Sequence, residues 1–197
     1  MIAILDYGSG NLRSAQRAFA TTGHDVQLTS DLDVALKSDG LVVPGVGAFA
    51  SCMNGINEID AADVIRQRLV AGKATLGICI GMQILFSDGL EHGQHKGIGM
   101  WSGTVSALDA PILPHMGWNT VEITGPSELF KGIEKESFYF VHSYAAKKSV
   151  GVAQAWTTHG EKFLAAVEDG ALCATQFHPE KSGKAGLTLI TNWSAGL

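Results

Sequence analysis

The apolar positions divide the chain into two stretches of different character. Ile2 to Leu5 is a continuous apolar run of strand length, and Leu12, Ala15, Ala18 and Phe19 then recur at helical spacing. Val26 to Thr29 predicts a second strand and Asp31 to Lys37 a short helix bearing Leu32, Ala35 and Leu36. Leu41 to Val43 predicts a third strand. Ala61 to Ala71 predicts an amphipathic helix closed by Gly72, and Ala74 to Ile78 a fourth strand. Met82, Ile84, Leu85 and Phe86 predict a helix directly behind it. Strand and helix alternate throughout this part, which is the signature of a parallel sheet with crossover helices.

After Gly89 the pattern changes. Glu91 to Gly97 is polar and carries His92 and His95, whose spacing finds no further metal ligand nearby, so a solvated loop is expected. From Gly103 the signals are strands: Thr104 to Leu108, Thr120 to Ile123, Ser137 to Tyr144, Val150 to Thr157, Phe163 to Glu168 and Ala171 to Phe177. Asp169-Gly170 reads as a two-residue hairpin turn between the last two. Leu187 to Trp193 predicts a closing helix. The expected fold is α/β, a mixed and mostly parallel central sheet flanked by helices, flavodoxin-like, with antiparallel strands added in the second half. Residues 1–197 are expected to form one domain, with no repeat and no linker.

Composition narrows the functional classes. Hydrophobic residues make up 46% and charged residues 17%, which suits a folded globular chain. A net charge of −5 argues against nucleic acid or an anionic membrane as the main partner. No apolar run is long enough to span a bilayer, and the first residues read as a strand and not as a leader. The three cysteines, Cys52, Cys79 and Cys173, are too few and too scattered for a disulfide framework or a zinc site. A reducing, cytoplasmic setting is expected, with no metal and no cofactor.

One cysteine stands apart. Cys79 lies between Gly77 and Gly81, where the fourth strand ends and a helix-like pattern begins at once. A strand, a sharp turn and a helix in that order form a nucleophile elbow, and a helix N-terminus there favours a thiolate. A buried structural cysteine at the end of a core strand fits Cys79 taken alone equally well. The loop Pro44-Gly45-Val46-Gly47-Ala48-Phe49 follows the third strand, at the sheet end where open α/β folds place ligands. It lacks the spacing of a nucleotide loop, and an ordinary strand-to-helix turn explains it as well. A third feature is Gln176-Phe177-His178-Pro179-Glu180. His178 and Glu180 are two apart, and Pro179 biases His178 toward extended chain, so imidazole and carboxylate fall on one side. That suits a base and its orienting group, in the chain order Cys, His, Glu; for the pair taken alone, a capped loop with an exposed ion pair is the other reading.

Together these motifs resemble a known family. Gly-x-Cys-x-Gly-x-Gln followed by Gln-Phe-His-Pro-Glu is similar to the signature of class I (triad) glutamine amidotransferases. Further stretches resemble the glutaminase subunits of imidazole glycerol phosphate synthases within that family. These are Asp6-Tyr7-Gly8-x-Gly10-Asn11, the Pro44 to Phe49 loop, Pro114-His115-Met116-Gly117-Trp118-Asn119, Tyr139-Phe140-Val141-His142-Ser143-Tyr144 and His178-Pro179-Glu180-Lys181-Ser182-Gly183. They run in order along essentially the whole chain. One departure is Ile80, where leucine is more usual.

The resemblance implies hydrolysis of the side-chain amide of L-glutamine. Cys79 would attack as a thiolate, His178 would shuttle the proton, and Glu180 would hold the imidazole. It implies an oxyanion hole from the N–H of Ile80 and from the loop at Val46 and Gly47, where a peptide flip completes the hole. Losing one such donor costs about 100- to 1000-fold in turnover. It also implies glutamine contacts at Gly47, Gln83, Ser143 and Tyr144. Ammonia would pass to a cyclase subunit, a (β/α)8 barrel bound as a heterodimer partner, which makes imidazole glycerol phosphate and aminoimidazole carboxamide ribotide in histidine biosynthesis. The docking face implied comprises Asn11, Met116, Trp118, Asn119, Tyr139 and Lys181, where exposed aromatic and methionine side chains suit an interface centre. Two rivals remain at this point: a stand-alone cysteine peptidase or γ-glutamyl hydrolase, and a non-catalytic subunit on the same fold.

Overall fold

The computed structural model describes residues 1–197. Its first part follows the alternation: β1 (Ile2–Leu5), α1 (Leu12–Ala20), β2 (Val26–Thr29), α2 (Leu32–Lys37) and β3 (Gly40–Gly45). Then come α3 (Phe49–Glu58), α4 (Ala61–Val70), β4 (Thr75–Cys79) and α5 (Ile80–Gln83). The Asn11 side chain caps α1, and Asp31 caps α2 through the N–H groups of Asp33 and Val34.

The second part is strand-rich. It comprises β5 (Phe86–Gly89), β6 (His95–Lys96), β7 (Trp101–Ala107), β8 (His115–Thr120), β9 (Glu122–Thr124), β10 (Ser137–His142) and β11 (Tyr144–Ala146). After these come β12 (Ala153–His159), β13 (Glu161–Asp169), β14 (Leu172–Thr175), a 3-10 turn (Pro179–Lys181) and α6 (Gly183–Ser194).

The central sheet has eight strands in the order β2-β1-β3-β4-β14-β13-β12-β9. Pairing is parallel from β2 through to β14 and antiparallel from β14 to β9. The expected mixed sheet is therefore present, but not every added strand joins it. β11, β7, β5 and β6 form a separate four-stranded sheet, and β8 pairs only with β10. Helices α1 and α6 pack together, with Phe19 edge-on to Trp193 at 5.7 Å, and α2 packs with α4. One cluster of 53 buried apolar residues runs through these layers. No helix is long and apolar enough to cross a membrane.

Local readings change in several places, among them the strand expected over Ser137 to Tyr144, which breaks at Ser143 into β10 and β11 of different sheets. The helix expected over Met82 to Phe86 is the single turn α5. The carbonyls of Ile84 and Leu85 are taken by the N–H groups of Ile98 and Met100, at 2.7 and 2.8 Å, so the helix cannot extend and β5 starts at Phe86. Helix α3 was hidden by its glycine and its small residues. It buries Phe49, Cys52, Met53 and Ile56 on one stripe, and Gly55 is required because a Cβ there would lie 2.2 Å from the Tyr7 carbonyl. The strand expected over Thr120 to Ile123 is broken at Val121, where β8 gives way to β9. The hairpin loop is Gly170-Ala171, one residue later than Asp169-Gly170, with Asp169 paired to Leu172 and Gly170 at φ 61°.

Candidate active site

Three parallel strands, β3, β4 and β14, bring the site residues to their carboxyl ends. Gly45 is in register with Cys79, and Thr175 with Ile78. Cys79 adopts φ 58° and ψ −112°, a conformation that side chains rarely accept, and packing enforces it. A Cβ on Gly81 would lie 1.9 Å from the Val43 carbonyl, and one on Gly45 would lie 2.5 Å from the Gly81 nitrogen. The elbow therefore exists only because backbone lies on backbone. The four residues of α5 supply much less of a helix dipole than the predicted helix would.

His178 follows β14 and is fixed by its main chain: its N–H donates to the Tyr139 carbonyl at 2.9 Å. The Ser182 hydroxyl donates to the His178 carbonyl at 2.7 Å and accepts from the Tyr139 N–H at 2.9 Å. Nδ1 of His178 lies 2.8 Å from Oε1 of Glu180, and the two side chains are 2% and 4% exposed. Glu180 Oε2 is buried without a partner, so the carboxylate is committed to this one imidazole. Burial pulls the His178 pKa down. Hydrogen bonding with Cys79 and Glu180, together with their charges, outweighs it and raises the pKa to about 9. The rise favours the protonated form of the imidazole, which stands beside the carboxylate and next to Cys79.

A cleft of about 510 Å³ opens over this arrangement. Its walls include Cys79, Ile80, His178, Val46, Gly47 and Gln83, and also Ser143, Tyr144, Glu91 and Lys181. Cys79 and His178 thus share one cavity with the residues predicted for the oxyanion and for glutamine binding, while Glu180 lies buried behind His178 and does not line it. Gln83 is buried; its Nε2 donates to the Tyr144 carbonyl at 2.8 Å and to Gln176 Oε1 at 3.0 Å. Its Oε1 remains without a partner in the cleft wall.

The Val46 peptide is occupied elsewhere. Its N–H donates to Ser9 Oγ at 3.1 Å, while its carbonyl accepts from that hydroxyl at 2.8 Å and from the Cys52 thiol at 3.4 Å. In this conformation the Val46 N–H is not offered to the cleft. The Ser9 side chain thus clamps both ends of the Val46 residue.

Of the docking residues, Met116 and Trp118 are 62% and 58% exposed on β8. Trp118 pairs with Tyr139 across the β8–β10 ladder, their rings 6.0 Å apart. Lys181 is exposed at the cleft. Asn119 differs: it is half-buried, and its side chain turns inward to His115 and to the Thr158 carbonyl. Asn11 is exposed, with its side chain spent on the α1 cap.

Sequence reasoning missed Glu91, assigned to a solvated loop. Its carboxylate accepts from the Phe49 N–H at 2.8 Å and reaches the cleft, which leaves an acidic wall beside His92. It also missed the roles of Gln176 and His142, which lay within quoted motifs but are buried. The only signal was their polar character next to apolar neighbours, His142 at the end of β10 and Gln176 just after β14.

Comparison with known proteins adds three findings. The family described as "Glutamine amidotransferase class-I" matches residues 3–194. A Mycobacterium bovis protein called "Imidazole glycerol phosphate synthase subunit HisH" is 56% identical over 201 residues, spanning 100% of this chain and 98% of the relative. A Streptomyces avermitilis protein of the same name is 53% identical over 203 residues, spanning 98% and 94%. Among solved structures, one described as "Crystal structure of glutamine amidotransferase" superposes with TM-score 0.76 at 18% identity, covering 100% of this chain and 99% of the other. The glutaminase domain of a Trypanosoma brucei CTPS with bound acivicin gives 0.68 at 18% identity, covering 98% and 92%.

Proposed function

The chain belongs to the class I glutamine amidotransferase family, and from that premise we propose that it is the glutaminase subunit of an imidazole glycerol phosphate synthase. It works as one amidotransferase domain over residues 1–197 and releases ammonia to a cyclase subunit. The observation that carries the reading is the strained Cys79 at the end of β4, sharing one cleft with a His178 ring that Glu180 backs at 2.8 Å.

The chemistry follows from that geometry. The Cys79 thiolate attacks the carboxamide carbon of glutamine, and the oxyanion is held by the Ile80 N–H. His178 gives its proton to the departing ammonia, and Glu180 keeps Nδ1 occupied so that Nε2 faces the reacting atoms. Water then cleaves the thioester, His178 takes its proton, and glutamate leaves. The unpartnered Gln83 Oε1 suits a substrate N–H, and the Glu91 carboxylate suits the α-ammonium. Ser143 and Tyr144 line the same end.

The second oxyanion donor is the Val46–Gly47 segment. With the Val46 N–H held by Ser9, the hole lacks this donor, so the isolated chain rests nearly inactive. A stand-alone hydrolase would need that donor free, which favours the subunit reading. The exposed pair Met116 and Trp118, with Tyr139 and Lys181, suits the docking face of the cyclase. Free cysteines suit a reducing cytoplasm. The test is glutamate release from glutamine with and without the cyclase barrel, comparing wild type with Cys79→Ser. Release that needs both the cyclase and Cys79 supports the reading. Equal activity of the isolated wild-type chain overturns the subunit assignment, and activity in Cys79→Ser overturns the mechanism.

A further inference from the structure

Three buried polar side chains have no task in the mechanism above: His115, His142 and Gln176, at 4%, 5% and 0% exposure. They are links of one hydrogen-bond chain, and its direction can be read from its outer end. Asn119 Oδ1 accepts from the Thr120 N–H at 2.9 Å, which makes Nδ2 the donor to the Thr158 carbonyl at 3.1 Å and to His115 Nε2 at 3.4 Å. His115 therefore carries its proton on Nδ1, which lies 3.1 Å from His142 Nε2. His142 in turn carries its proton on Nδ1 and gives it to the Tyr144 carbonyl at 2.9 Å. That carbonyl also accepts from Gln83 Nε2 at 2.8 Å, and the second Gln83 proton goes to Gln176 Oε1 at 3.0 Å. What remains is Gln176 Nε2, 3.8 Å from Cys79 Sγ.

Each link fixes the orientation of the next, so the chain has one arrangement. Both histidines are held neutral. Burial lowers His115 to about 4, helped by the charge of His159, and lowers His142 to about 3 against the hydrogen bond to Tyr144. A proton added to His142 would set two N–H groups against each other across 3.1 Å. Stacking on Phe140 at 4.8 Å and on His159 at 4.3 Å fixes the plane of the His115 ring. A neutral pair of this kind moves no proton; it sets where the Tyr144 carbonyl sits.

We propose that Gln176 is a hydrogen-bond donor to the Cys79 sulfur, and that His142 and His115 are positioning residues that hold it there through the Tyr144 carbonyl and Gln83. The donor steadies the thiolate before attack, and again when the thioester is cleaved and the sulfur leaves with its electron pair. The chain begins on β8, the strand that exposes Met116 and Trp118. A shift of the β8–β10 ladder therefore reaches the sulfur without passing through the Val46 loop. The link to the nucleophile rests on the function proposed above.

The test uses two readouts. The first is alkylation of Cys79 by iodoacetamide in the full chain, followed at that residue by mass spectrometry. The second is glutamine turnover with the cyclase present. Gln176→Leu, which removes the donor at similar volume, should slow Cys79 alkylation about tenfold and lower kcat with little change in KM. His142→Leu should act in the same direction. His142→Asn, which keeps an N–H near the Nδ1 position, should recover to within about threefold of wild type. The His142→Leu/Gln176→Leu double variant should be no slower than Gln176→Leu alone. Wild-type alkylation in Gln176→Leu overturns the donor role. Additive effects in the double variant, or no recovery in His142→Asn, overturn the positioning role. Should His142→Leu fail to fold, Gln176→Leu and His142→Asn still decide. If these alkylation effects appear but no glutamine is hydrolysed, the hydrogen-bond chain stands and the glutaminase reading falls.

Discussion

At the amino ends of the parallel strands, Arg68 of α4 is fully buried and donates to the carbonyls of Ala35, Leu36, Ser38, Asp39 and Ala74. At the carboxyl ends of the same strands, the Val46 residue is held by the Ser9 hydroxyl and the Cys52 thiol and stands 40% exposed. The first arrangement has no competing geometry. The guanidinium closes the last carbonyls of α2 and the entry to β4 together, with no carboxylate bonded to it. Burial lowers its pKa to about 10, the charge of Asp39 opposing this, so it stays a cation. The second arrangement holds a partly exposed residue through two small side chains only. The same sheet is thus fastened where nothing reacts and loosely latched where the proposed chemistry occurs.

The largest expected effect belongs to the reactive end. Cys79→Ser should lower glutamine turnover by about 10,000-fold or more while shifting the urea midpoint little. A variant that loses both would show that the two ends are not separable. Next is Arg68→Met, which strands five carbonyls around an apolar side chain. It should lose about 3 to 5 kcal/mol in urea unfolding, while molecules still folded at low temperature keep wild-type turnover in the complex. Turnover that falls with stability would make Arg68 part of the site. Third is Ser9→Ala. Freeing the Val46 peptide should raise glutaminase activity of the isolated chain about three- to tenfold, and no rise would mean that the latch lies elsewhere.

The smallest effect is on pH dependence. His178 is raised from 6.5 to about 9, so its stabilisation is fully present below about 6.5 and is lost as pH rises through about 9. His115 and His142 are lowered to about 4 and about 3. Their stabilisation is present above about 6.5 and is lost as pH falls through those values. Melting temperatures should fall on both sides of neutrality. Glu180→Gln should flatten the alkaline limb and His142→Asn the acid limb; a crossed result would reassign the two groups.

The fold class and the gathering of the candidate residues at one sheet end were more legible than the local shape. Cys79, His178 and Glu180 stand out because reactive groups at strand ends interrupt apolar runs, and a parallel α/β sheet brings strand ends together. What was hidden depended on distant partners. Nothing near Met82 announces that Ile98 and Met100 will take the carbonyls that α5 would need. Glu91 looks solvated until Phe49, far away in sequence, supplies an N–H to it. Asn119 lies in a strand whose alternation points it outward or inward according to register, and register follows from the pairing of His115 with His142. His142 and Gln176 carry no local sign of their partners at all.

The crossing of backbones at Gly45, Gly77 and Gly81 sets how this enzyme can diverge. A methyl group at any of the three meets main-chain atoms within 2.7 Å, so mutation there has almost no neutral neighbours to explore. Glu91, Ser143 and Lys181 line the same cleft. A change at these glycines would move the sulfur itself, whereas a change at the cleft wall would alter what the proposed site recognises.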